Sequence, residues 1–283
     1  MKRGIKKMKI KTYDITIPYE KIGVNDIQSV SLVSYTLDIS CEIGRKNRPA
    51  VIICPGGGYE FVSERESEPV ALRFAAMGIH AFVLNYSVIQ KPFPTALLEL
   101  AQATAFVRAN AESWDIDPQK ISVCGFSAGG HLAASLGVHW DKKFIRDTLE
   151  FKDEHKPNSM ILSYPVITSG KYKHEGSIQN IVGLQPKPTP LDLVSLENHV
   201  SSNTPRTFIW HCCDDNVVPV ENTILFIQAL SKNKISFECS IYPHGGHGIS
   251  LCDDTTSSKP SQYNEKCSQW FINAVKWLKS PDK

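Results

Sequence analysis

A serine stands between two glycines in the segment Gly125-Phe126-Ser127-Ala128-Gly129, which matches the pattern G-x-S-x-G. An apolar segment ends at Cys124, and a run of small residues follows the serine. Between a strand and a helix, this pattern forces the serine into a strained turn and exposes its Oγ. The helix dipole there stabilises developing negative charge. The pattern predicts a nucleophile at Ser127. The alternative is a turn of small residues that only permits close packing.

A serine nucleophile requires donors for the oxyanion that its attack creates. The glycine turn Cys54-Pro55-Gly56-Gly57-Gly58-Tyr59 directly follows an apolar run at residues 50–54. We predict that the backbone N–H groups of Gly57, Gly58 and Ala128 form an oxyanion hole. A flexible turn or a phosphate-binding loop is the alternative, but no Gly-Lys-Ser/Thr follows, so the segment is not a P-loop.

The same nucleophile requires a base and a carboxylate that orients the base. Two adjacent carboxylates, Asp214 and Asp215, follow an apolar run, and only one of them can point at a histidine. Two histidines, His244 and His247, follow the last apolar run. We favour His247 as the base, because its glycine neighbours allow the imidazole to swing over a sheet edge. His244 remains the alternative.

A zinc site is a competing interpretation of the histidines and carboxylates in this part of the chain. The candidate ligands are His211, Asp214, Asp215, His244 and His247. No His-Glu-x-x-His or comparable short ligand spacing occurs among them. We therefore predict neither a metal nor a cofactor.

The apolar pattern predicts the elements that must position these residues. Continuous apolar runs indicate buried strands, and alternating segments near the start indicate half-exposed antiparallel strands. The predicted strands are 9–18, 29–39, 50–54, 79–84, 121–124, 160–163, 207–210 and 236–242. The predicted helices are 67–77, 95–113, 127–138, 221–231 and 262–278. This alternation predicts an α/β fold with a mostly parallel central sheet, helices on both faces and an antiparallel pair at one edge.

One segment, residues 166–204, interrupts the alternation with little strand character. Connections of this length within a domain are usually functional. We predict a small, partly helical cap over the carboxyl edge of the sheet, within a single domain that spans residues 1–283. A surface elaboration without substrate contact is the alternative.

The composition restricts the location and the partners of the protein. Charged residues make up 21% of the chain and the formal net charge is +2, which gives no indication of a nucleic-acid or membrane partner. No apolar stretch has the length of a signal-peptide core or a membrane span. The eight cysteines include no Cys-x-x-Cys pair and lie mainly in apolar runs, which favours reduced, buried thiols. We expect a cytoplasmic protein with a small-molecule ester as its partner. The oligomeric state stays open, with a homodimer as one option.

Taken together, the motifs resemble those of the α/β-hydrolase superfamily. The chain is most similar to the esterase and lipase group that contains hormone-sensitive-lipase-like esterases and bacterial acetyl-xylan-type esterases. The resemblance covers residues from about 50 to the last helix, in the order serine, aspartate, histidine. It is carried by PGGGY (55–59), KISVCGFSAGGHLAA (120–134), DDNVVPVEN (214–222) and YPHGGHG (242–248). It implies that Asp215, in D-x-x-V-P, is the acid and that His247 is the base.

The chain departs from the hormone-sensitive-lipase-like pattern at two places. Pro55 stands where a histidine usually opens the oxyanion motif, and Asn85-Tyr86-Ser87 stands where Asp-Tyr-Arg is common. PGGGY and the segment 63–69 look closer to the xylan-esterase branch. The resemblance therefore implies a serine carboxylesterase for short-chain acyl esters, with O-acetylated sugars or xylo-oligosaccharides as candidate substrates.

Two other function classes remain open from the sequence. An amidase or peptidase of the arylformamidase or prolyl-oligopeptidase type uses the same residues, and a hydrolase fold can serve as a non-enzymatic binding module. Within the substrate pocket, we expect Tyr59 and Phe126 to contact substrate, with Phe61 and Tyr164 as further candidates. The alternative for these aromatic residues is that they belong to the core.

Overall fold

The computed structural model describes residues 8–25, 29–38, 42, 47–89, 91–183 and 189–280. Within these ranges, eight strands form one sheet: β1 (Lys9–Asp14), β2 (Ser31–Thr36), β3 (Arg48–Cys54), β4 (His80–Asn85), β5 (Ile116–Phe126), β6 (Ser159–Ser163), β7 (Arg206–Cys212) and β8 (Phe237–Tyr242). The α-helices in these ranges are α1 (Glu68–Ala76), α2 (Thr95–Ala109), α3 (Ala128–His139), α4 (Lys143–Leu149), α5 (Glu175–Val182), α6 (Glu221–Lys232) and α7 (Glu265–Lys279).

The strand order across the sheet is β1-β2-β4-β3-β5-β6-β7-β8. Strands β3 to β8 are parallel to one another, and β2 pairs antiparallel with both β1 and β4. The predicted antiparallel extension of one edge is therefore confirmed. Because the parallel strands run in one direction, their carboxyl ends meet at a single edge of the sheet, where ligands bind in open α/β sheets.

Two apolar layers enclose the sheet. On strand β3, Ile52 packs in the layer that contains helices α2, α3 and α6, whereas Val51 and Ile53 pack in the layer that contains α1 and α7. All seven residues of β3 are buried. This explains why β3 reads as a continuous apolar run: a strand covered on both faces has no polar side. The predicted α/β fold, with a mostly parallel sheet and helices on both faces, is confirmed.

The observed elements differ from the predicted ones mainly at their ends. Strand β5 begins at Ile116, before the predicted 121–124, and helix α2 ends at Ala109 rather than at 113. Helix α4 was not predicted, because only Ile145 and Leu149 of its seven residues are buried and two residues define no periodicity. Position 39 of the predicted strand 29–39 lies outside the described residues, as do the ends of the predicted domain 1–283.

The long segment 166–204 is partly helical, as predicted. It contains α5 and two short 3-10 helices, Leu191–Val194 and Leu196–Asn198, while 184–188 lie outside the described residues. The side-chain amide of Asn180 on α5 donates a hydrogen bond of 2.9 Å to the carbonyl of Gly58. The segment therefore contacts the glycine turn at the carboxyl edge of the sheet.

Candidate active site

Ser127 occupies the tight turn between the end of β5 and the start of α3. Its backbone has φ 53° and ψ −118°, a left-handed conformation that costs energy for a residue with a side chain. A Cβ atom on Gly125 would lie 2.1 Å from the carbonyl oxygen of Gly129, and a Cβ on Gly129 would lie 2.0 Å from that of Cys54. Both glycines are therefore required for the close approach of strand and helix.

A continuous hydrogen-bonded relay leads from Ser127 to Asp215. The Oγ of Ser127 lies 2.8 Å from Nε2 of His247, and Nδ1 of His247 lies 2.6 Å from Oδ2 of Asp215. Since Asp215 can only accept, Nδ1–H of His247 donates to the carboxylate, and Nε2 is left to accept the serine proton. The imidazole has the tautomer and orientation that a general base needs.

Asp215 accepts three hydrogen bonds and has no exposed side-chain surface. Its Oδ1 accepts from the backbone N–H groups of Val217 and Val218, both at 2.9 Å. Its Oδ2 lies 3.2 Å from Nε2 of the buried His211, in addition to its contact with His247. Burial alone would raise the pKa of Asp215, but hydrogen bonds from His211 and His247 hold it well below its usual range. Asp215 therefore remains an anion beside His247.

Asp214 and His244, the alternatives for the acid and the base, form a separate pair. Oδ1 of Asp214 accepts from the backbone N–H groups of Gly245 and Gly246, each at 2.9 Å. Nδ1 of His244 lies 3.3 Å from Oδ2 of Asp214, and its side chain is 84% exposed. Asp214 thus stabilises the loop that carries His247.

The predicted oxyanion donors lie next to Ser127. Gly57 has φ 127° and Gly58 has φ 67°, conformations that favour glycine. Among the residues that the structure describes, none accepts a hydrogen bond from the backbone N–H of Gly57, Gly58 or Ala128. A Cβ on the preceding Gly56 would lie 3.1 Å from Cβ of Ser127, so this turn packs against the serine. Three free donors at this position can bind a developing oxyanion.

Pro55 begins the glycine turn in place of the histidine that the hormone-sensitive-lipase-like pattern has there. Its carbonyl accepts a hydrogen bond of 2.6 Å from the hydroxyl of the buried Tyr86. Tyr86 belongs to the Asn-Tyr-Ser segment that replaces Asp-Tyr-Arg. The two departures from the pattern are therefore in contact with each other.

Comparison with known proteins identifies the family. The BD-FAE family profile matches residues 37–230, which is most of the chain. The chain belongs to the BD-FAE family. The predicted membership of the α/β-hydrolase esterase group is thereby confirmed.

Relatives in the same group carry esterase or xylanase names. This BD-FAE chain is 40% identical, over 73% of its length, to endo-1,4-beta-xylanase B of Butyrivibrio fibrisolvens. It is 32% identical, over 71% of its length, to the acetylxylan esterase of Xylanibacter ruminicola. It spans only 33% and 41% of the lengths of these two proteins.

Solved structures match nearly the whole BD-FAE chain. The acetyl ester-xyloside bifunctional hydrolase of Caldicellulosiruptor lactoaceticus is 37% identical, has a TM-score of 0.80, and is matched over 95% of both chains. The carboxylesterase Cest-2923 of Lactobacillus plantarum is 26% identical, with a TM-score of 0.83, and is matched over 96% of this chain and 97% of its own.

Two aromatic residues predicted to contact substrate, Tyr59 and Phe126, lie in the interior of this BD-FAE chain. Phe126 has no exposed surface and packs between Tyr164 and Trp270 in the layer of α1 and α7. Tyr59 is 4% exposed, and its hydroxyl lies 2.9 Å from Nδ1 of His131. Both side chains are buried, which agrees with the core alternative, and their contact with substrate stays a prediction. Of the four aromatic candidates, Phe61 is exposed.

His131 is a structural residue. Its Nε2 donates to the carbonyl of Val194 at 3.0 Å, and its Nδ1 accepts from Tyr59. Burial lowers the pKa of His131 to about 4, so the ring is neutral. The contact also ties helix α3 to the long segment 166–204.

Sequence reasoning assigned no role to two groups that lie close to the site. Glu66 is a buried carboxylate whose Oε2 accepts a hydrogen bond of 2.7 Å from the N–H of Gly56. His174 caps helix α5 through Ser177, and burial together with the nearby His247 lowers its pKa. Glu66 lies in the segment 63–69 that carried part of the resemblance, whereas no local pattern distinguishes His174.

The competing zinc interpretation gains no geometric support. Among the described residues, no group of three or more histidine, cysteine, aspartate or glutamate side chains is arranged to hold a metal ion. The nitrogens of His211 instead bond to Thr223 and to the carbonyl of Val218, and those of His247 bond to Asp215 and Ser127. In the part of the chain that the structure describes, no helix combines the length and apolar character needed to cross a membrane.

Proposed function

We propose that this protein is a serine carboxylesterase that hydrolyses short-chain acyl esters through Ser127, His247 and Asp215. The observation that carries the proposal is the unbroken relay from Ser127 Oγ through the imidazole of His247 to Asp215. These three residues are sufficient to supply a nucleophile at the carboxyl edge of the sheet. The family and the esterase names of its relatives support the same reaction class.

In the first half of the proposed reaction, His247 accepts the hydroxyl proton as Ser127 Oγ attacks the ester carbonyl carbon. The imidazolium that forms lies 2.6 Å from the anionic Asp215, which stabilises its positive charge. His247 then gives this proton to the departing alcohol oxygen. The product that remains is an acyl-enzyme with the acyl group on Ser127.

In the second half, water takes the position of the departed alcohol. His247 removes a proton from this water, whose oxygen attacks the acyl carbon, and the proton passes to Ser127 Oγ as the acid leaves. Each half forms one oxyanion, which the N–H groups of Gly57 or Gly58 and of Ala128 would bind. Removing one such donor typically reduces kcat by about 10²- to 10³-fold.

For the alcohol part of the substrate, we propose O-acetylated sugars or xylo-oligosaccharides. Two similar proteins bear the names acetylxylan esterase and acetyl ester-xyloside bifunctional hydrolase. One polar, half-buried side chain of the long segment 166–204 borders the oxyanion turn: the amide of Asn180 donates to the carbonyl of Gly58. A polar side chain there favours a hydroxylated alcohol over a long alkyl chain.

The replacement Ser127→Ala tests the proposed nucleophile. We expect a folded protein whose turnover of p-nitrophenyl acetate falls by at least about 10³-fold, because attack on the ester requires the hydroxyl. Labelling with a fluorophosphonate should disappear with it. Undiminished turnover in the folded variant would contradict the proposal.

A substrate panel tests the proposed ester class. The wild-type protein should prefer acetyl over octanoyl p-nitrophenyl esters and should release acetate from acetylated xylo-oligosaccharides. The panel includes N-formylkynurenine and aminoacyl amides, since an arylformamidase or peptidase would use the same relay. A higher kcat/KM on either amide class would replace the esterase proposal with the amidase alternative.

A further inference from the structure

Glu66 is a carboxylate in the interior of the protein, beside the proposed reaction centre. It is the last residue of the 3-10 helix Glu64–Glu66 and is 3% exposed. Burial raises the pKa of this carboxyl, and hydrogen bonds from Tyr164 and Gly56 oppose that rise. A buried carboxylate is costly unless its hydrogen bonds compensate for lost hydration. The cost of burying Glu66 must therefore be offset by its contacts.

One oxygen of Glu66 holds the oxyanion turn. Oε2 accepts the N–H of Gly56 at 2.7 Å, and Gly56 immediately precedes the proposed donor Gly57. The peptide at Gly56 has no free space: a Cβ there would lie 2.7 Å from Oε2 of Glu66 and 2.9 Å from the carbonyl oxygen of Phe126. Because the turn is confined between Glu66 and the residue before Ser127, the carboxylate fixes the orientation of the peptides that follow.

The other oxygen of Glu66 connects to the residues around His247. Oε1 accepts a hydrogen bond of 2.7 Å from the hydroxyl of Tyr164. The same hydroxyl accepts a hydrogen bond of 2.9 Å from the backbone N–H of Ser250. The ring of Tyr164 lies edge-on against the imidazole of His247, with centroids 5.0 Å apart. Tyr164 thus links the carboxylate both to the base and to the loop that follows it.

A second pair of contacts ties the same short helix to the histidine loop. The guanidinium of Arg65 donates to the carbonyl of Gly248 at 3.0 Å, and the hydroxyl of Ser250 donates to the carbonyl of Arg65 at 2.9 Å. The loop that carries His247 is therefore attached to residue 65 through Gly248 and Ser250, both just after the histidine, and to Glu66 through Tyr164. The short helix Glu64–Glu66 therefore contacts both the oxyanion turn and the loop that carries the base.

We infer that Glu66 is a positioning residue that keeps the oxyanion turn, through Gly56, and the His247 loop, through Tyr164, at a fixed separation across Ser127. Glu66 donates no proton and forms no hydrogen bond with Ser127 or His247. It acts in the transition state, when the oxyanion must meet its donors while the imidazolium still faces the serine. This inference rests on the proposed esterase function.

Four variants test the inference. Glu66→Gln keeps one acceptor oxygen, Glu66→Met keeps the length of the side chain without any acceptor, and Tyr164→Phe removes the second contact of the carboxylate. Glu64→Gln is the matched control, because Glu64 is exposed on the same 3-10 helix. Each variant is assayed for folding by circular dichroism and thermal melting, and for kcat and KM with p-nitrophenyl acetate. Each is also assayed for inhibition by a short alkyl trifluoromethyl ketone, whose serine adduct carries an oxyanion.

For Glu66→Gln and Tyr164→Phe, we expect kcat to fall at least about tenfold while KM changes less than about twofold, the pattern of an interaction made in the transition state. Affinity for the trifluoromethyl ketone should fall in parallel with kcat/KM. Glu66→Met, where it folds, should lose more than Glu66→Gln, and Glu64→Gln should match the wild type. If Glu66→Met does not fold, the other two variants carry the test.

Two results would overturn this inference and leave the proposed function in place. One is a folded Glu66→Gln protein with wild-type kcat and ketone affinity. The other is a loss of kcat that only follows the loss of folded protein, because this would indicate a purely structural residue. Ser127-dependent turnover in the wild type keeps the proposed function in place under either result. A wild-type protein without ester turnover would overturn the proposed function and this inference together.

Discussion

The carboxylates of Asp214 and Asp215 are adjacent in the chain but hold two different parts of the same loop. Asp215 accepts from the imidazole of His247 at 2.6 Å, whereas Asp214 accepts the backbone N–H groups of Gly245 and Gly246, each at 2.9 Å. One carboxylate orients the side chain of the histidine, and the other anchors the backbone that precedes it. The pair therefore has a division of roles that mutation can separate.

Asp215→Asn should reduce kcat by about 10³- to 10⁴-fold, because the amide can present its N–H₂ to Nδ1 of His247 and so favour the wrong tautomer. The variant retains the volume of the side chain and should fold. The measurement is kcat with p-nitrophenyl acetate at saturating substrate.

Asp214→Asn is the matched control. It should reduce kcat/KM by less than about tenfold, because the amide oxygen can still accept from both glycine N–H groups. Equal losses in the two variants would contradict the division of roles and would point to a shared acid.

Gly129→Ala should prevent stable folding, or lower the free energy of unfolding by more than about 3 kcal/mol. The added Cβ would lie 2.0 Å from the carbonyl oxygen of Cys54 and 2.4 Å from that of Pro55. Both are backbone atoms at the end of β3, which cannot move aside as a side chain could. Urea unfolding followed by circular dichroism measures the effect.

Gly176→Ala provides the comparison for this substitution. The nearest atom to its added Cβ is Cε1 of His174 at 3.7 Å, an ordinary contact. Because Gly176 lies in helix α5, alanine should leave stability unchanged or raise it by up to about 1 kcal/mol. A Gly129→Ala protein as stable as Gly176→Ala would show that strand β3 and helix α3 are not in the close contact described.

The stability of the protein should fall between pH 6.5 and 4. Burial lowers the pKa of both His131 and His139 from 6.5 to about 4. Over this interval the unfolded chain binds protons at these sites and the folded protein does not, so lowering the pH favours unfolding. The free energy of unfolding should decrease by on the order of 3 kcal/mol for each histidine across the full interval. Urea titrations at pH 7.5, 6, 5 and 4.5 measure the slope.

His131→Gln and His244→Gln distinguish the source of this pH dependence. His131→Gln removes one buried titrating group and should flatten the slope, even if the variant is less stable at every pH. The side chain of His244 is 84% exposed, so His244→Gln should keep the wild-type slope. A slope that is the same in both variants would mean that His131 does not cause it.

Local sequence patterns predicted the framework of the site because its physical causes are local. A strand buried on both faces is largely apolar, as residues 50–54 of β3 are, and a strand–turn–helix junction this tight admits only glycine at positions 125 and 129. Those constraints are visible along the chain, so the parallel sheet, the turn at Ser127 and the order serine, aspartate, histidine could be predicted without coordinates.

Contacts between distant segments were beyond the reach of these patterns. Tyr59 and Phe126 lie beside the key motifs in the sequence, yet their side chains point into the two core layers. There Tyr59 bonds to His131, and Phe126 packs against Trp270. The sequence indicated no role for Glu66, which lies in a polar segment. Its contacts with Gly56 and Tyr164 exist only in the folded protein. The periodicity of the sequence shows neither the direction in which an aromatic side chain points nor the residue to which a carboxylate bonds.

The sequence by itself determined the fold class and the residue types that converge at one sheet edge, since these follow from periodicity and from the steric limits of glycine turns. The motifs already pointed to Asp215 and His247, but only the tertiary structure decided that Asp214 holds the backbone of the loop that carries the histidine. It also decided that Glu66 joins the oxyanion turn to the base. The reason is physical: Ser127 and His247 are 120 residues apart, and their 2.8 Å contact depends on how strands β5 and β8 pack within the folded sheet.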